Sequence, residues 1–482
     1  MTNKTSVITR FAPSPTGFLH IGGLRTALFN YLWARQNQGR FILRIEDTDQ
    51  ARLVAGAEEG LVKILQQFGL DFDERLRQSD RLESYQKSAR QLVASGFAYK
   101  CFCSPERLEQ LRGEQQQAKQ PPRYDGRCRN LSAEEEATRQ GQSHTVRFKV
   151  SGSGRLSFED ILRGQLSVAY EELDDFIILK SDGWPTYHLA SVVDDHESAI
   201  SHVIRGEEWL PSLPKHILLY QAFNWAPPQF VHLPLLLNSD KSKLSKRQGD
   251  VAVEDFLKQG YLIEALINYV ALLGWHPSSD QEIFSLLELI QGFSLERLAK
   301  SGAIFDRKKL DWFNAYYISN LDEKAQWQRY GEIMQSLTDD FLENHYKSDQ
   351  VKRIFRILKP RLNNLQEVVS ASKFISDLPD YDPQLLIFKK STLEKTKKGL
   401  AVAKSYWQGL NDQDWEMPEI EKSLEMAKAD EGLDFGDIYW PARVALSGQA
   451  ASPSPVELAW VLGAEETCRR LELALKKLAT ML

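Results

Sequence analysis

The stretch SVITRFAPSPTGFLHIGG occupies residues 6–23 and decides the fold of the first half of the chain. Its first seven residues predict a short strand, which prolines and a glycine then end in a tight loop. Apolar residues from Leu24 to Leu32 recur at the spacing of one helix face. The next apolar run, FILRIE at 41–46, predicts a second strand. Strand, helix and strand at this spacing indicate a parallel sheet.

The remaining chain divides by pattern around this α/β unit. Helical periodicity resumes at 56–68 and 80–95, and an α/β pattern returns again before residue 250. In between lie three clustered cysteines, a polar stretch and short strand-like pieces, whereas the chain after 250 is mainly helical. The predicted fold is a Rossmann-like α/β parallel-sheet domain with an inserted α+β domain, followed by all-α C-terminal domains. The predicted boundaries are 1–99, 100–185, 186–250, 251–322 and 323–482.

The loop after the first strand has the features of a phosphate-binding site. His20 is expected in the first turn of the following helix, beside Gly22 and Gly23. Glycines let a ligand approach the backbone, and a helix N-terminus offers unpaired N–H groups and a positive dipole end. The pattern is neither the Walker sequence nor G-x-G-x-x-G. A Pro/Gly turn that caps a helix, with His20 packed against it, is the alternative interpretation.

A second signature is KLSKR at residues 243–247, in a polar loop. Lysine carries a compact charge that suits phosphate oxygens, so Lys243 and Lys246 are candidate phosphate ligands. A solvated basic loop is the commoner fate of such a run. The co-occurrence of this loop with the strand–loop–helix near the N-terminus favours the phosphate-binding interpretation of both.

Together the two signatures resemble the HIGH and KMSKS motifs of class I aminoacyl-tRNA synthetases, and more narrowly those of the bacterial-type glutamyl branch. Gly23 replaces the second His, Leu244 replaces Met and Arg247 replaces the final Ser, but the lysine at position 246 is kept. Other stretches carry the same resemblance along the whole chain. They are RFILRIEDTD at 40–49, YDGRCR at 124–129, DGWPTYHLASVVDDHE at 182–197, VIRGEEWL at 203–210 and YWPARVALSG at 439–448.

The resemblance implies activation of L-glutamate by ATP, followed by transfer to the terminal adenosine of its tRNA. Such catalysis works by positioning and by stabilising charge that grows on phosphate oxygens, without a protein nucleophile. His20, Lys243 and Lys246 are the implied catalytic residues. Mg²⁺ is expected with the ATP, held mainly by phosphates and water. The implied ATP-binding residues are Ser14, His20, Gly22, Gly23, Glu208, Lys243 and Lys246.

The amino acid must be held at both ends. A guanidinium pairs bidentately with a carboxylate, and the resemblance implies that one or both of Arg10 and Arg205 hold the glutamate side chain. Glu46 is placed to receive the α-ammonium, at the end of a strand where ligands bind in such folds. A surface ion pair is the alternative for Arg10 or Glu46 alone. The full set implied for glutamate is Arg10, Ala12, Ser14, Glu46, Tyr187, Ser191 and Arg205.

The insert contains Cys101, Cys103 and Cys128, which could supply three of the four ligands of a structural zinc. Some relatives have a fourth ligand two residues after the last cysteine, where this chain has Asn130. Asn130 is a poor zinc ligand and Tyr124 is no better. The expectation is therefore a hairpin with free, partly buried thiols and no bound zinc.

RNA binding has to rest on local basic clusters, because the formal net charge is −6. Such clusters occur in the helical C-terminal half. Arg353 and Arg356 are candidate phosphate contacts, and Trp440 and Arg443 are candidates for base stacking and base-edge contact. A solvated helix face is the alternative for each. By resemblance, residues 100–185 bind the acceptor end, 251–322 contact the stem and 323–482 read the anticodon.

Four competing interpretations were weighed. They are a glutamate-activating tRNA-modifying paralogue, glutaminyl-tRNA synthetase, a non-enzymatic RNA-binding descendant and a general class I nucleotidyltransferase. The long helical extension disfavours the first two, since a paralogue lacks it and the glutaminyl enzyme has a β-barrel there. Whether the tRNA for glutamine is also charged stays open. The absence of a signal peptide or membrane span predicts a cytoplasmic enzyme, expected to be a monomer.

Overall fold

The computed structural model describes residues 6–244, 252–322 and 348–481. The chain forms two compact units. The first comprises Met1–Leu257 and Ile263–Leu310, and the second comprises Lys258–Leu262 and Asp311–Leu482. Within the described residues, no helix combines the length and apolar character needed to cross a membrane.

The first unit contains all the named strands of the described chain. They are β1 Ile8–Phe11, β2 Arg40–Ile45, β3 Glu74–Arg77, β4 Ala98–Cys101, β5 Thr145–Phe148, β6 Arg155–Asp160, β7 Gly164–Ala169, β8 Ile177–Leu179, β9 His202–Gly206, β10 Gln229–Leu233, β11 Leu236–Leu237 and β12 Ala303–Ile304.

The helices are given in chain order, first those up to residue 322 and then those from residue 348 onwards. The first group comprises α1 Ile21–Gln36, α2 Ala57–Gln67, α3 Leu82–Ala94, α4 Pro105–Gln117, α5 Ala133–Ala137, α6 Tyr187–Glu197, α7 Leu213–Phe223, α8 Val253–Lys258, α9 Ile263–Leu272, α10 Leu286–Gly292 and α11 Arg307–Asn320. The second group comprises α12 Ser348–Leu358, α13 Glu367–Ser376, α14 Leu393–Gln408, α15 Met417–Asp430, α16 Phe435–Ser447, α17 Pro455–Leu462 and α18 Ala464–Ala479.

The predicted parallel sheet is present. Strands β1, β2 and β3 pair in parallel, and so do β9 and β10. The two groups meet where the backbone N–H of Ser201 donates to the carbonyl of Ile8, at 2.9 Å. The chain passes through a helix between one parallel strand and the next, as parallel pairing requires. The carboxyl ends of β1, β2 and β9 therefore face the same edge of the sheet.

The insert forms its own antiparallel strands but shares the core of the parallel sheet. Strands β4, β5 and β8 make one small sheet, and β6 and β7 make a hairpin. One apolar cluster extends from Ile42 on β2 through Phe148 and Ile178 in the insert to Leu189 on α6. Because this core is continuous, the insert is packed as part of the first unit.

In the second unit, helices pack closely around buried polar anchors. The Trp407 indole N–H on α14 donates to the carbonyl of Ile420 at 3.1 Å. Arg470 on α18 is buried and donates to the carbonyls of Phe374, Ile375 and Leu446. Such bonds matter because a buried carbonyl left without a donor costs about 1–3 kcal/mol.

One glycine controls the approach of β1 to β2. Gly39 precedes β2, and the next residue donates its N–H to the carbonyl of Val7 at 2.9 Å. A Cβ at position 39 would lie 1.9 Å from that carbonyl oxygen. Only glycine therefore allows the two strands to meet in this register.

Gly39→Ala is expected to lower the free energy of unfolding of the first unit by about 1–3 kcal/mol or more, the usual cost of overpacking. The matched control is Gly60→Ala in α2, where an added Cβ would meet no atom within 4 Å. That change should be neutral or stabilising by up to about 1 kcal/mol, because alanine favours helix. Urea denaturation followed by tryptophan fluorescence measures both, and equal stability of the two variants would contradict the assignment.

Candidate active site

A cavity of about 910 Å³ opens at the carboxyl edge of the parallel sheet, beside the start of α1. Its wall contains every described residue predicted for glutamate or ATP except Ser191. These lining residues are Arg10, Ala12, Ser14, His20, Gly22, Gly23, Glu46, Tyr187, Arg205, Glu208 and Lys243. The strand ends and the loops that follow them therefore bring together residues separated by more than two hundred positions in sequence.

Ser191 lies on α6 one turn after Tyr187, but its side chain is fully buried behind the cavity wall. Its hydroxyl accepts a hydrogen bond from Arg44 at 3.3 Å. The structure therefore places Ser191 next to a residue that supports the pocket, whereas Tyr187 on the same helix reaches the cavity itself.

His20 caps helix α1, whereas the sequence predicted it within the first turn. Its backbone is extended and its Nδ1 accepts the N–H of Gly23 at 3.0 Å. Because Nδ1 is an acceptor in this contact, the neutral ring carries its proton on Nε2. A Cβ on Gly22 would lie 3.1 Å from the imidazole, so this glycine makes room for the ring. The helix start thus presents both a ring N–H donor and the positive end of the helix dipole.

Behind the cavity wall that contains Arg10 and Glu46 lies a buried group of charges centred on Arg44. Arg44 donates to Glu46 Oε1 at 3.0 Å and to Asp195 Oδ1, while Asp195 also accepts from Arg10 Nε at 3.0 Å. Burial opposes the charge of Arg44, but Asp195, Glu46 and Asp194 together raise its pKa well above the usual value. The side chains of Arg44 and Asp195 are only 1% and 3% exposed, so each charge depends on the others.

The same group sets the charges of the carboxylates. Burial raises the pKa of Glu46, although Arg44 and Arg10 oppose that shift. Burial also works against ionised Asp195, but Arg10 and Arg44 outweigh it and lower the pKa of that residue. Asp195 is thus ionised and forms ion pairs with both arginines. Among the described residues, Arg10 makes its hydrogen bond through Nε, which leaves its two amino groups for a ligand.

Arg44 was not among the residues predicted from the sequence, although a signal was present. It stands inside the apolar strand β2, where a charged residue is rare unless it is paired. An arginine in such a run indicates buried carboxylate partners. Asp194 and Asp195 in α6 are the partners, but nothing in their spacing from β2 indicates the contact.

Arg205 on β9 forms the opposite wall. Its Nη1 donates to the hydroxyl of Tyr187 at 2.7 Å, and its Nε donates to His232 Nε2 at 3.0 Å. The Tyr187 ring in turn packs on Trp209, with ring centroids 4.3 Å apart. The Nη2 of Arg205 donates to the carbonyl of Trp209 at 3.4 Å, so all three guanidinium nitrogens of this buried arginine have partners that hold it in one orientation at the cavity wall.

The phosphate side of the cavity is only partly described. Lys243 is exposed and lines the cavity, in a turn that bridges back to Leu237. Lys246 lies outside the described residues. Glu208 lines the cavity near Arg25, a buried arginine whose pKa is lowered by burial to about 10 in spite of the Glu208 and Glu207 carboxylates.

The three cysteines of the insert lie together. Their sulfur atoms are all within 4.8 Å of one another, and the Tyr124 hydroxyl lies 3.3 Å from Cys101 Sγ and 3.5 Å from Cys103 Sγ. Burial raises the pKa of Cys103 to about 11 and, with the neighbouring thiols, also raises that of Tyr124. Burial opposes ionisation of Cys101, but hydrogen bonds with Tyr124, Cys103 and Arg147 lower its pKa. The donor set therefore contains three sulfur atoms, of which that of Cys101 favours the thiolate, and the Tyr124 phenol. Cys468, on helix α18, is half-buried.

In the second unit, the residues predicted for tRNA make three cation–aromatic contacts, on two tryptophan rings. The guanidinium carbons of Arg353 and Arg356 lie 4.9 Å and 5.7 Å from the ring centroid of Trp460. Arg443 lies 4.5 Å from the ring of Trp440.

Trp440 and Arg443 are also tied to the backbone, through the carbonyls of Leu385 and Ala450 at 2.8 Å and 2.7 Å. Both side chains are half-buried, whereas Arg356 is exposed. Trp440 and Arg443 therefore contribute to the packing of this unit whatever they bind.

Two sequence families match this chain. The catalytic domain of class I tRNA synthetases (E and Q) matches residues 6–312, and an anticodon binding domain matches residues 327–475. The first match covers the parallel sheet, the insert and the cavity described above.

Full-length relatives agree with these matches. The chain is 41% identical to the glutamate–tRNA ligase of Alkaliphilus metalliredigens, over 97% of this chain and 98% of the relative. It is 40% identical to the glutamate–tRNA ligase of Dehalococcoides mccartyi strain CBDB1, over 100% and 99% of the two chains.

Solved structures agree as well. The glutamate tRNA ligase of Elizabethkingia meningosepticum, crystallised in complex with its amino acid, superposes with a TM-score of 0.86 at 34% identity, over 98% of this chain and 99% of that one. The enzyme of Elizabethkingia anophelis gives a TM-score of 0.87 at 34% identity, over 98% and 100% of the chains. This chain therefore belongs to the class I tRNA synthetases of the glutamate and glutamine (E and Q) family.

Proposed function

We propose that this protein is a glutamate–tRNA ligase, which activates L-glutamate with ATP and transfers it to its tRNA. The observation that carries the proposal is the single cavity in which Arg10, Arg205 and Glu46 lie with His20 and Lys243. Full-length relatives named glutamate–tRNA ligases support glutamate over glutamine as the amino acid. The helical second unit favours the same choice over a tRNA-modifying paralogue, which lacks such an extension.

Glutamate is held by charges at the sheet edge. Arg10 offers its amino groups and Arg205 offers the edge of its guanidinium, so the side-chain carboxylate binds to one or both, next to the Tyr187 hydroxyl. Glu46 receives the α-ammonium. Ala12 and Ser14 form the loop wall beside β1 and leave the α-carboxylate facing the phosphate side.

ATP lies against the start of α1. The Nε2–H of His20 donates to phosphate oxygens, and Gly22 and Gly23 let those oxygens approach the helix N-terminus. Lys243, with Lys246 of the same loop, adds positive charge where it develops on the phosphates. Glu208 is a candidate contact for the nucleotide on the opposite wall.

Magnesium fits this cavity as the companion of ATP. Glu208 and Asp49 put carboxylate oxygens on its wall, and Mg²⁺ prefers oxygen ligands. Among the described residues, the one group of three metal-ligating side chains is the cysteine cluster, which is elsewhere in the unit and offers sulfur. Phosphate oxygens and water would supply the remaining ligands, and the ion would neutralise phosphate charge.

The reaction then needs no covalent bond to the protein. An oxygen of the glutamate α-carboxylate attacks the α-phosphorus, and the bond to pyrophosphate breaks. The hydroxyl of the terminal adenosine of tRNA next attacks the activated carbonyl, and AMP leaves. The residues of the cavity hold the reacting groups in place and stabilise charge on the phosphates.

The tRNA is expected to extend over further parts of the chain. We assign acceptor binding to residues 100–185, stem contact to 251–322 and anticodon reading to 323–482, with Arg353, Arg356, Trp440 and Arg443 as candidate contacts. The exposed Arg356 is the best placed of these for a phosphate. Because all proposed glutamate and phosphate ligands lie in one unit, a monomer suffices, and the proposed location is the cytoplasm.

The direct test is aminoacylation of two purified tRNAs, for glutamate and for glutamine, in parallel with radiolabelled glutamate and ATP–Mg²⁺. Charging of the glutamate tRNA is expected, and the second reaction shows whether the glutamine tRNA is also a substrate. Charging of neither tRNA with glutamate by the full-length protein would overturn the proposal.

Arg10→Ala and Arg205→Ala are expected to raise the Michaelis constant for glutamate. Loss of a hydrogen bond to a charged group costs about 1.5–3 kcal/mol, which corresponds to roughly 10- to 150-fold. The Michaelis constant for ATP should change little. Arg90→Ala on the exposed face of α3 is the matched control, and thermal melting of each variant checks folding. If neither arginine variant changes the glutamate value, the pocket has been assigned wrongly.

The cysteine cluster is expected to hold little zinc, because Asn130 stands where some relatives have the fourth ligand. Metal analysis of protein expressed with added zinc should therefore give well under one zinc per chain. Asn130→His, which supplies an imidazole where some relatives have a ligand, should raise the content towards about one. One tightly bound zinc in the unaltered protein would contradict this expectation.

A further inference from the structure

Two buried polar residues stand directly behind Arg205. His232 on β10 is the register partner of Arg205 on β9, so the two side chains lie side by side on the sheet. Asp160, the last residue of β6, contacts His232 through Oδ2 at 2.7 Å from Nδ1. The side chains of Asp160 and His232 are both fully buried. Neither residue lines the cavity.

The hydrogen bonds fix the proton positions. Arginine only donates, so His232 Nε2 must accept from Arg205 Nε at 3.0 Å. The ring proton is then on Nδ1, which donates to Asp160. Burial lowers the pKa of His232, with Asp160 only partly opposing it, so the ring stays neutral near pH 7. A neutral ring with this tautomer is the one form that can accept from Arg205.

Hydrogen bonds to both carboxylate oxygens also fix the position of Asp160. Its Oδ2 also accepts the backbone N–H of His232 at 3.0 Å, and its Oδ1 accepts those of Leu162 and Arg163 at 3.0 Å and 2.9 Å. Burial opposes ionisation, but these bonds and His232 lower the pKa of Asp160. Both oxygens therefore face N–H donors, and an amide nitrogen would not fit at either position.

The turn that carries Asp160 is anchored next to the same strand. Ile161 donates its N–H to the carbonyl of Phe230 at 2.9 Å, and Arg163 pairs with Glu207. Glu207 in turn accepts the N–H of Leu235 at 2.9 Å. The β6–β7 hairpin of the insert is thereby fixed against β10, which keeps Asp160 in reach of His232.

We propose that Asp160 and His232 are positioning residues that hold the Arg205 guanidinium in the orientation that receives the side-chain carboxylate of glutamate. The inference rests on the proposed function, because it concerns the arginine assigned there to the substrate. With Nε fixed by His232, the outer edge of the guanidinium faces Tyr187 and the cavity. A hairpin of the insert, remote in sequence from β9, thus sets the amino-acid specificity of the parallel-sheet site.

Four variants of the full-length protein test the proposal. Asp160→Asn removes one acceptor, so that His232 is no longer held in the tautomer with its proton on Nδ1. His232→Asn keeps a group near Nδ1 but removes the acceptor for Arg205, whereas His232→Gln keeps an acceptor near Nε2. The matched control is His202→Asn, a buried histidine on β9 whose ring contacts Ser201 and Trp33 and not Arg205. Glutamate-dependent charging of tRNA is measured with each.

Asp160→Asn and His232→Asn are expected to raise the Michaelis constant for glutamate about 10-fold or more, because the displaced Arg205 guanidinium loses a hydrogen bond to the charged carboxylate. The Michaelis constant for ATP and the melting temperature should stay near those of the His202→Asn control. His232→Gln should restore most of the glutamate affinity. In ¹⁵N spectra of the unaltered protein, His232 should be neutral with its proton on Nδ1.

Unchanged glutamate constants in both Asp160→Asn and His232→Asn, with a raised constant in Arg205→Ala, would overturn the inference and leave the proposed function intact. Equal rises for glutamate and ATP would also overturn it, because they indicate a general structural role. If a variant does not fold, the tautomer measured in the unaltered protein and the His232→Gln constant still decide. Absence of any glutamate-dependent charging by the unaltered protein would instead overturn the proposed function.

Discussion

Arg44 and Asp195 form the ion pair on which the rest of the site depends. It joins β2 to α6, and through Arg10 it also joins β1, so three elements meet at one buried pair of charges. Burying an ion costs several kcal/mol unless partners replace its water. Here Arg44 forms ion pairs with both Glu46 and Asp195, and Asp195 forms ion pairs with both Arg44 and Arg10. Arg10 and Glu46, which face the cavity, are therefore each oriented by a buried charge that does not.

This arrangement suits a substrate with an ammonium group and two carboxylates. In the proposed binding mode, one carboxylate binds to guanidinium groups, the ammonium binds to Glu46, and the second carboxylate remains for chemistry. An uncharged amide in place of the side-chain carboxylate would direct an N–H₂ group at a guanidinium that can only donate. Discrimination then comes from unpaired buried groups, which penalise the wrong substrate more strongly than a missing methylene would.

Local patterns account for the part of the site that was predicted. Prolines, glycines and helical periodicity define the β1–α1 loop, and the strand ends follow from the alternation of apolar runs. Arg10, His20 and Glu46, predicted at these positions, all line the cavity. Arg44, Asp160 and His232 were missed because their contacts join segments that are remote in sequence. Ser191 lies one turn after Tyr187 on the same helix. Its side chain contacts the buried Arg44, whereas that of Tyr187 lines the cavity, and helical spacing alone does not distinguish the two. In the second unit, sequence marked Trp440 and Arg443 as RNA contacts, and only packing reveals that they bind each other and the backbone.

Fixed guanidinium groups are proposed to select a side-chain carboxylate. This selection is measured by the ratio of kcat/KM for L-glutamate and for L-glutamine in charging the glutamate tRNA with the unaltered protein. We expect a preference for glutamate of at least about a thousandfold, because glutamine leaves buried donors without acceptors. Comparable values for the two amino acids would contradict it.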